Sequence, residues 1–223
     1  DTGAPPSYAR ELYNHFIVEL RQTGAELLVL GGNHDSVAML SESKTLLAQL
    51  NTRVVPSVCA ELDEQVLVLH TRAGQAGAIL CAIPFIRPRD VLFSQAGESA
   101  QAKQQNLQSA IQQHYQQLYA QAEAKRDALG GQLPIIATGH LTTVGASASE
   151  SVREIYVGSL EAFPTSDFPP AAYIALGHIH RPQKVAGLEH IRYCGSPIPL
   201  SFDEAKQQKE VLLVDVNNDG LQH

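Results

Sequence analysis

Three apolar runs in this 223-residue chain each lead into glycine followed by side chains that can donate a lone pair. Leu30 runs into Gly31-Gly32-Asn33-His34-Asp35, Ala137 into Thr138-Gly139-His140, and Leu176 into Gly177-His178-Ile179-His180. A single histidine at the end of such a run is more often a hydrogen-bonded surface or core residue than a ligand, but three tips of one form reverse that weighting. Imidazole, amide and carboxylate donors without thiolate suit manganese, iron or zinc in a hydrolytic site better than a closed structural zinc. His178 and His180 are two apart, so in extended backbone they project to one side and could serve two neighbouring ions. Asp35 reads as the helix cap for a segment beginning at Ser36, and its carboxylate could also orient the His34 ring. His15 and His114 on helices, His70 and His190 in hairpin-like strands, and terminal His223 lack this setting and read as solvated or packing residues.

Scattered tips become one site only if the elements behind them gather there. Leu27 to Leu30, Pro134 to Thr138 and Tyr173 to Leu176 are short unbroken apolar runs, the pattern of strands covered on both faces of a parallel sheet. In open α/β sheets the ligand site lies beyond the carboxyl ends of such strands, so the three tips are expected at one sheet edge, with His34 beside them facing solvent. A helix is expected from Ser7, as N-cap, to Thr23-Gly24, with Leu12, Phe16, Leu20, Tyr13 and Ile17 as its apolar stripe. A second is expected over 36–50, and a long surface helix over 99–129 with Leu107, Ile111, Tyr115, Leu118 and Ala122 on one face. Val54-Val55 reads as β; Gln65 to His70 with Ala78 to Ile83 reads as a hairpin, as does Gln183 to Ala186 with His190 to Cys194 turning at Gly187. Val211 to Val216 reads as a final strand before the turn Asn217-Asn218-Asp219-Gly220.

The length fits one large domain, and no internal repeat or linker divides the chain. Hydrophobic residues at 44% and charged residues at 17% are a globular mixture, and no apolar run approaches the roughly 18 residues that cross a bilayer, so a water-soluble protein with no membrane partner is expected. The net charge of −7 excludes a general DNA-coating surface, leaving local contacts to nucleic acid or contacts shared with a partner. Cys59, Cys81 and Cys194 are odd in number and lack ligand spacing, which suits buried, inert thiols in a reducing cytoplasm. The chain opens at Asp1 without methionine or signal-like segment, so Asp1 is not expected to be the natural start.

With these motifs the chain resembles the calcineurin-like metallophosphoesterases, whose pattern reads D-x-H, G-D, G-N-H-D/E, a lone G-H, and G-H-x-H. A narrower likeness lies in the runs Ala137-Thr138-Gly139-His140-Leu141-Thr142-Thr143-Val144-Gly145-Ala146 and Tyr193-Cys194-Gly195-Ser196-Pro197-Ile198-Pro199-Leu200-Ser201-Phe202-Asp203-Glu204. These are similar to the SbcD family, the nuclease subunits of bacterial SbcCD complexes, and the likeness covers nearly the whole chain; Asp1-Thr2-Gly3 fits the end of the G-D motif. The resemblance implies an α/β fold, a four-layer αββα sandwich of two mixed sheets flanked by helices. It implies that Asn33, His140 and His178 bind one manganese and His180 the other, and that His34, supported by Asp35, stabilises the scissile phosphate or protonates the leaving oxygen. Magnesium, iron and zinc stay open as alternatives to the two manganese ions. It further implies a DNA exonuclease and endonuclease acting on ends and hairpins in replication, recombination and repair, with an SbcC-type ATPase subunit, as a homodimer within the cytoplasmic complex.

No D-x-H and no G-D occurs in this chain. Residues 1–223 are therefore expected to be one nuclease domain lacking its first two motifs and the later capping and partner-binding regions. The ligand motifs alone also fit a phosphoesterase for small nucleotides, which the acidic balance favours, or a scaffold used only for partner binding. Arg87 and Arg89 could touch DNA phosphates, against a solvated turn with Arg89 paired to Asp90; the loop Thr142 to Arg153 could border the substrate or simply be a surface loop.

Overall fold

The computed structural model describes residues 3–92, 98–148 and 162–222. Asp1, Thr2, His223 and the last residues of the 142–153 loop lie outside them. Helix α1 (Ser7–Gln22) is capped at Pro6, not at Ser7. Pro6 is extended (φ −65°, ψ 161°) and its carbonyl already accepts the Ala9 and Arg10 amides, so the helix starts one residue early and leaves Ser7 without a capping bond. Its stripe is only half used: Ile17 is buried against Leu47 and Val54, while Leu12 and Phe16 stay exposed.

Strand β1 (Leu27–Leu30) pairs in parallel with β2 (Thr52–Val55), in register from Leu27 opposite Thr52 to Leu30 opposite Val55. The expected single helix between them is two, α2 (Val37–Glu42) and α3 (Lys44–Ala48), because Ser43 (φ −104°, ψ 5°) leaves the helical region. The cap of α2 is Ser36, whose Oγ accepts the Met39 amide, so Asp35 does not cap it.

The main sheet has six strands. β3 (Val66–His70) and β4 (Ala76–Cys81) form the expected antiparallel hairpin. After α4 (Pro88–Val91) and α5 (Ala100–Ala128) come β5 (Ile135–His140), β6 (Tyr173–Gly177), β7 (Gln183–Val185) and β8 (Leu188–Tyr193). The order is β3-β4-β5-β6-β8-β7, with β4, β5, β6 and β8 mutually parallel and the outer strands antiparallel. The protein is thus α/β with a mixed sheet. The second hairpin turns through Ala186 (φ 49°) and Gly187 (φ 76°), the left-handed pair that a two-residue turn requires.

α5 lies on this sheet through Leu107, Ile111, Tyr115, Leu118 and Ala122, all buried with Ile79, Cys81, Ile135, Ala137 and Ile174 in one core. The match follows from spacing alone, since those five positions fall on one helical face. The 211–216 segment does not form a strand: only Val216 enters one, the short ladder of β9 (Val216–Asn217) with β10 (Gly220–Leu221). Val211 and Leu213 are 81% and 97% exposed, and no described strand lies beside them to complete a ladder.

No described helix is long and apolar enough to cross a membrane. Of the cysteines only Cys81 is buried, and burial pushes its thiol up to about 12; Cys59 and Cys194 are partly exposed, because both lie in connections rather than under α5.

Candidate metal centre

Because β5 and β6 run parallel with His140 opposite Gly177, the two glycine-histidine tips end at one edge of the sheet. The third tip joins them through the backbone, where the Phe85 amide after β4 donates to Gly31 O at 2.8 Å and draws the end of β1 toward the end of β4. Buried hydrogen bonds fix the intervening strand. The Tyr115 hydroxyl donates to Thr138 O (3.0 Å), and Thr138 Oγ1 accepts the Ile83 amide (2.6 Å).

His140 is the centre of the cluster. Its Nε2 lies 2.8 Å from Asn33 Oδ1, and its ring centroid is 5.4 Å from that of His178 and 6.2 Å from that of Phe85. A Cβ on Gly32 would fall 2.7 Å from His140 Cε1, and one on Gly177 would fall 3.0 Å from its Nδ1. Those two glycines therefore make room for the imidazole itself. Burial, reinforced by His178, His34 and His180 in that order, pushes His140 down to about 3. Burial and then His180 and His34 push His178 down to about 4. Both rings are thus neutral at neutral pH, the form that offers a lone pair to a cation.

His178 carries two marks of a functional position. Its backbone has φ 93°, a region non-glycine residues enter rarely and at a cost. It therefore sits in a bend and not in the extended backbone that its spacing from His180 suggests. Its Nε2 is buried with no hydrogen-bond partner among the described residues, which a buried ring nitrogen does not tolerate without compensation. His180, two residues on, turns its Nδ1 to Glu204 Oε1 at 3.0 Å. His34 is exposed beside the group, close enough to His140 and His178 to act on both electrostatically. Asp35 Oδ2 accepts the Gly32 amide at 2.7 Å and so braces the loop that presents Asn33 and His34.

The donors converge but do not form a finished cage: no three His, Cys, Asp or Glu side chains among the described residues already share a point at ligating distance. In the Asn33–His140 hydrogen bond the imidazole Nε2–H donates to Asn33 Oδ1, so a proton stands on Nε2 where a cation would bind. The donor chemistry and the orphaned His178 nitrogen nevertheless fit a borderline divalent ion.

Three nearby residues lie outside the ligand motifs. Arg87 is only partly exposed; its guanidinium lies 5.5 Å over the Phe85 ring and its Nη2 donates to Asp35 O at 3.4 Å, so the solvated turn expected for this pair holds for Arg89 alone, 79% exposed and 3.8 Å from Asp90. Glu204 lies buried behind His180, with the partly buried Lys209 beside it. Elsewhere, His15 and His70 are exposed, each near a glutamate, His190 is partly exposed, and His114 is buried on α5.

Fold and site together define an α/β protein with a histidine-rich site at the carboxyl ends of parallel strands. No family model matches the chain. It is 59% identical over all 223 residues to the SbcD subunit of nuclease SbcCD from Escherichia coli K12, covering 54% of that protein. It is 34% identical over 198 residues to the corresponding SbcCD nuclease subunit of Rhodobacter capsulatus, and 29% identical over 219 residues to that of Bacillus subtilis. These alignments take in 86% and 96% of the chain and 47% and 53% of those proteins. The chain spans about half the length of the curated relatives it matches. Along its whole length it is a homologue of the SbcD family of SbcCD nuclease subunits.

Proposed function

We propose that this chain supplies most of the catalytic domain of a metal-dependent DNA nuclease, which hydrolyses phosphodiester bonds at DNA ends and hairpins together with an SbcC-type ATPase. The observation that carries the reading is the convergence of three sequence-distant strand tips on His140, with two neutral buried imidazoles and an unpartnered His178 nitrogen. The relatives, named as subunits of a nuclease, support the nucleic-acid substrate over a small nucleotide.

Asn33, His140 and His178 would hold one ion and His180 a second. Manganese bound there would supply Lewis acidity and lower the pKa of a water. The chain's own part is positional. Gly32 and Gly177 fix the His140 ring, and Asp35 holds the loop so that exposed His34 can reach the substrate and give a proton to the leaving oxygen. In the intact protein the parallel β1-β2 pair would belong to the second sheet of a four-layer sandwich, and two subunits would work within one complex in replication, recombination and repair.

The test uses the full-length protein, with and without its ATPase partner, and compares manganese-dependent cleavage of hairpin DNA, linear duplex and a chromogenic phosphodiester. Efficient hairpin and duplex cleavage is the expected result. Turnover of the small ester alone would reassign the site to small nucleotides, and no turnover with no manganese bound would leave a scaffold.

A further inference from the structure

Glu204 is completely buried, and it reaches back across 24 residues of chain to His180. Oε1 meets His180 Nδ1 at 3.0 Å. Oε2 accepts the Leu200 amide at 3.0 Å and the Lys209 ammonium at 2.9 Å. Lys209, 9% exposed, closes the loop by donating to the carbonyl of His180 itself (3.0 Å) and to Ser196 Oγ (3.0 Å) and Gln207 Oε1 (3.1 Å). The chain is folded tightly to allow this: the Ser196 amide also donates to His180 O, and Gly195 (φ 84°) lies where a Cβ would come within 2.6 Å of that oxygen.

We propose that Glu204 is a positioning residue that holds His180 in one tautomer, with the proton on Nδ1 and the lone pair on Nε2. A carboxylate can only accept, so a neutral imidazole facing it must present N–H. Lys209 pairs with the buried carboxylate at 2.9 Å and supplies its countercharge. The consequence for metal binding rests on the reading of His180 given above; the tautomer does not.

Substitution by glutamine makes the claim sharp. The Oε2 position is met by two donors, the Leu200 amide and the Lys209 ammonium, and cannot be taken by an NH2 group. The introduced glutamine would therefore place its oxygen there and its NH2 against His180 Nδ1, and the proton of the imidazole would move to Nε2. In the unsubstituted full-length protein at pH 8 without metal, long-range nitrogen NMR of labelled histidine should find His180 protonated on Nδ1. In Glu204→Gln the proton should be on Nε2, and manganese affinity measured by titration calorimetry should fall about 10–100-fold. His180 protonated on Nε2 in the unsubstituted protein overturns the inference, and this holds even if the variant fails to fold. The same tautomer in both proteins overturns it as well. The expected tautomers in a protein that binds no manganese would uphold the positioning role and instead overturn the metal-site reading.

Discussion

His34 and His178 stand side by side in one cluster, yet their surroundings differ: one is exposed on a braced loop, the other is buried in a left-handed bend with an orphaned nitrogen. In the full-length protein, His34→Ala is expected to abolish DNA cleavage while manganese binding stays within about threefold, since no donor close to the ion is lost, whereas His178→Ala should weaken binding by roughly tenfold or more. Calorimetry on both variants decides; equal loss of metal would contradict the division of roles. Arg87 has a buried Nη1 with no hydrogen-bond partner among the described residues, next to the loop bearing His34. If that guanidinium meets a phosphate, Arg87→Ala removes one charged hydrogen bond, and KM for DNA should rise roughly tenfold with kcat nearly unchanged. A fall in kcat alone would assign Arg87 to the loop and not to the substrate. At this scale the sequence is informative where chemistry and backbone coincide: Gly-His at the end of an apolar run marks the carboxyl end of a strand. Glu204 is not legible as a partner of His180, because a contact across 24 residues leaves no periodic trace. Arg87 is hidden by its resemblance to an ordinary surface turn.

Among the elements, α5 is the most legible, and it supplies Leu107, Ile111, Tyr115, Leu118 and Ala122 to the main core. Leu118 is fully buried between helix and sheet, so Leu118→Ala should cost about 2–5 kcal/mol, seen as a lower urea midpoint at unchanged slope. Ser36→Ala, which removes the bond to the Met39 amide, should cost about 1 kcal/mol by the same measurement. The hairpins are equally readable, since alternation and turn glycines are local signals. Two of the departures from the sequence expectations share a cause. Val211–Val216 has β propensity, but a strand exists only where another strand pairs with it, and among the described residues only Val216 finds such a partner. Residues 36–50 read as one continuous helix because the apolar spacing survives the break at Ser43, and the stripe of α1 does not say which of its members finds a neighbour. For the strand and for the α1 stripe the tertiary partner, absent from any local window, decides the outcome.

For the molecule as a whole, three imidazoles are buried in a form that resists protonation: His114, His140 and His178. His114 alone lies outside the candidate site, on α5, and so offers a clean measure of how acid destabilises the fold. Burial is the cause of its depression, from the ordinary 6.5 to about 4, and its Nε2 has no partner among the described residues. Above pH 6.5 the ring is neutral in both folded and unfolded chains and costs nothing in protonation. Between 6.5 and 4 the unfolded chain takes up a proton that the folded chain refuses, which favours unfolding; below 4 both are charged and the loss is complete. At pH 5 the difference amounts to on the order of 2 kcal/mol, a substantial part of the stability of a single domain. His114→Leu removes the titrating group and fills similar space with apolar atoms, so the variant should lose about that much less stability than the parent between pH 7.5 and pH 5. Urea unfolding at both pH values, in buffers of equal ionic strength, measures it. His140 and His178 titrate in both proteins and cancel from the difference. Parallel losses in the two proteins would mean that His114 is protonated without cost in the fold, through a water or a rearrangement of α5, and that its burial does not govern the acid limit.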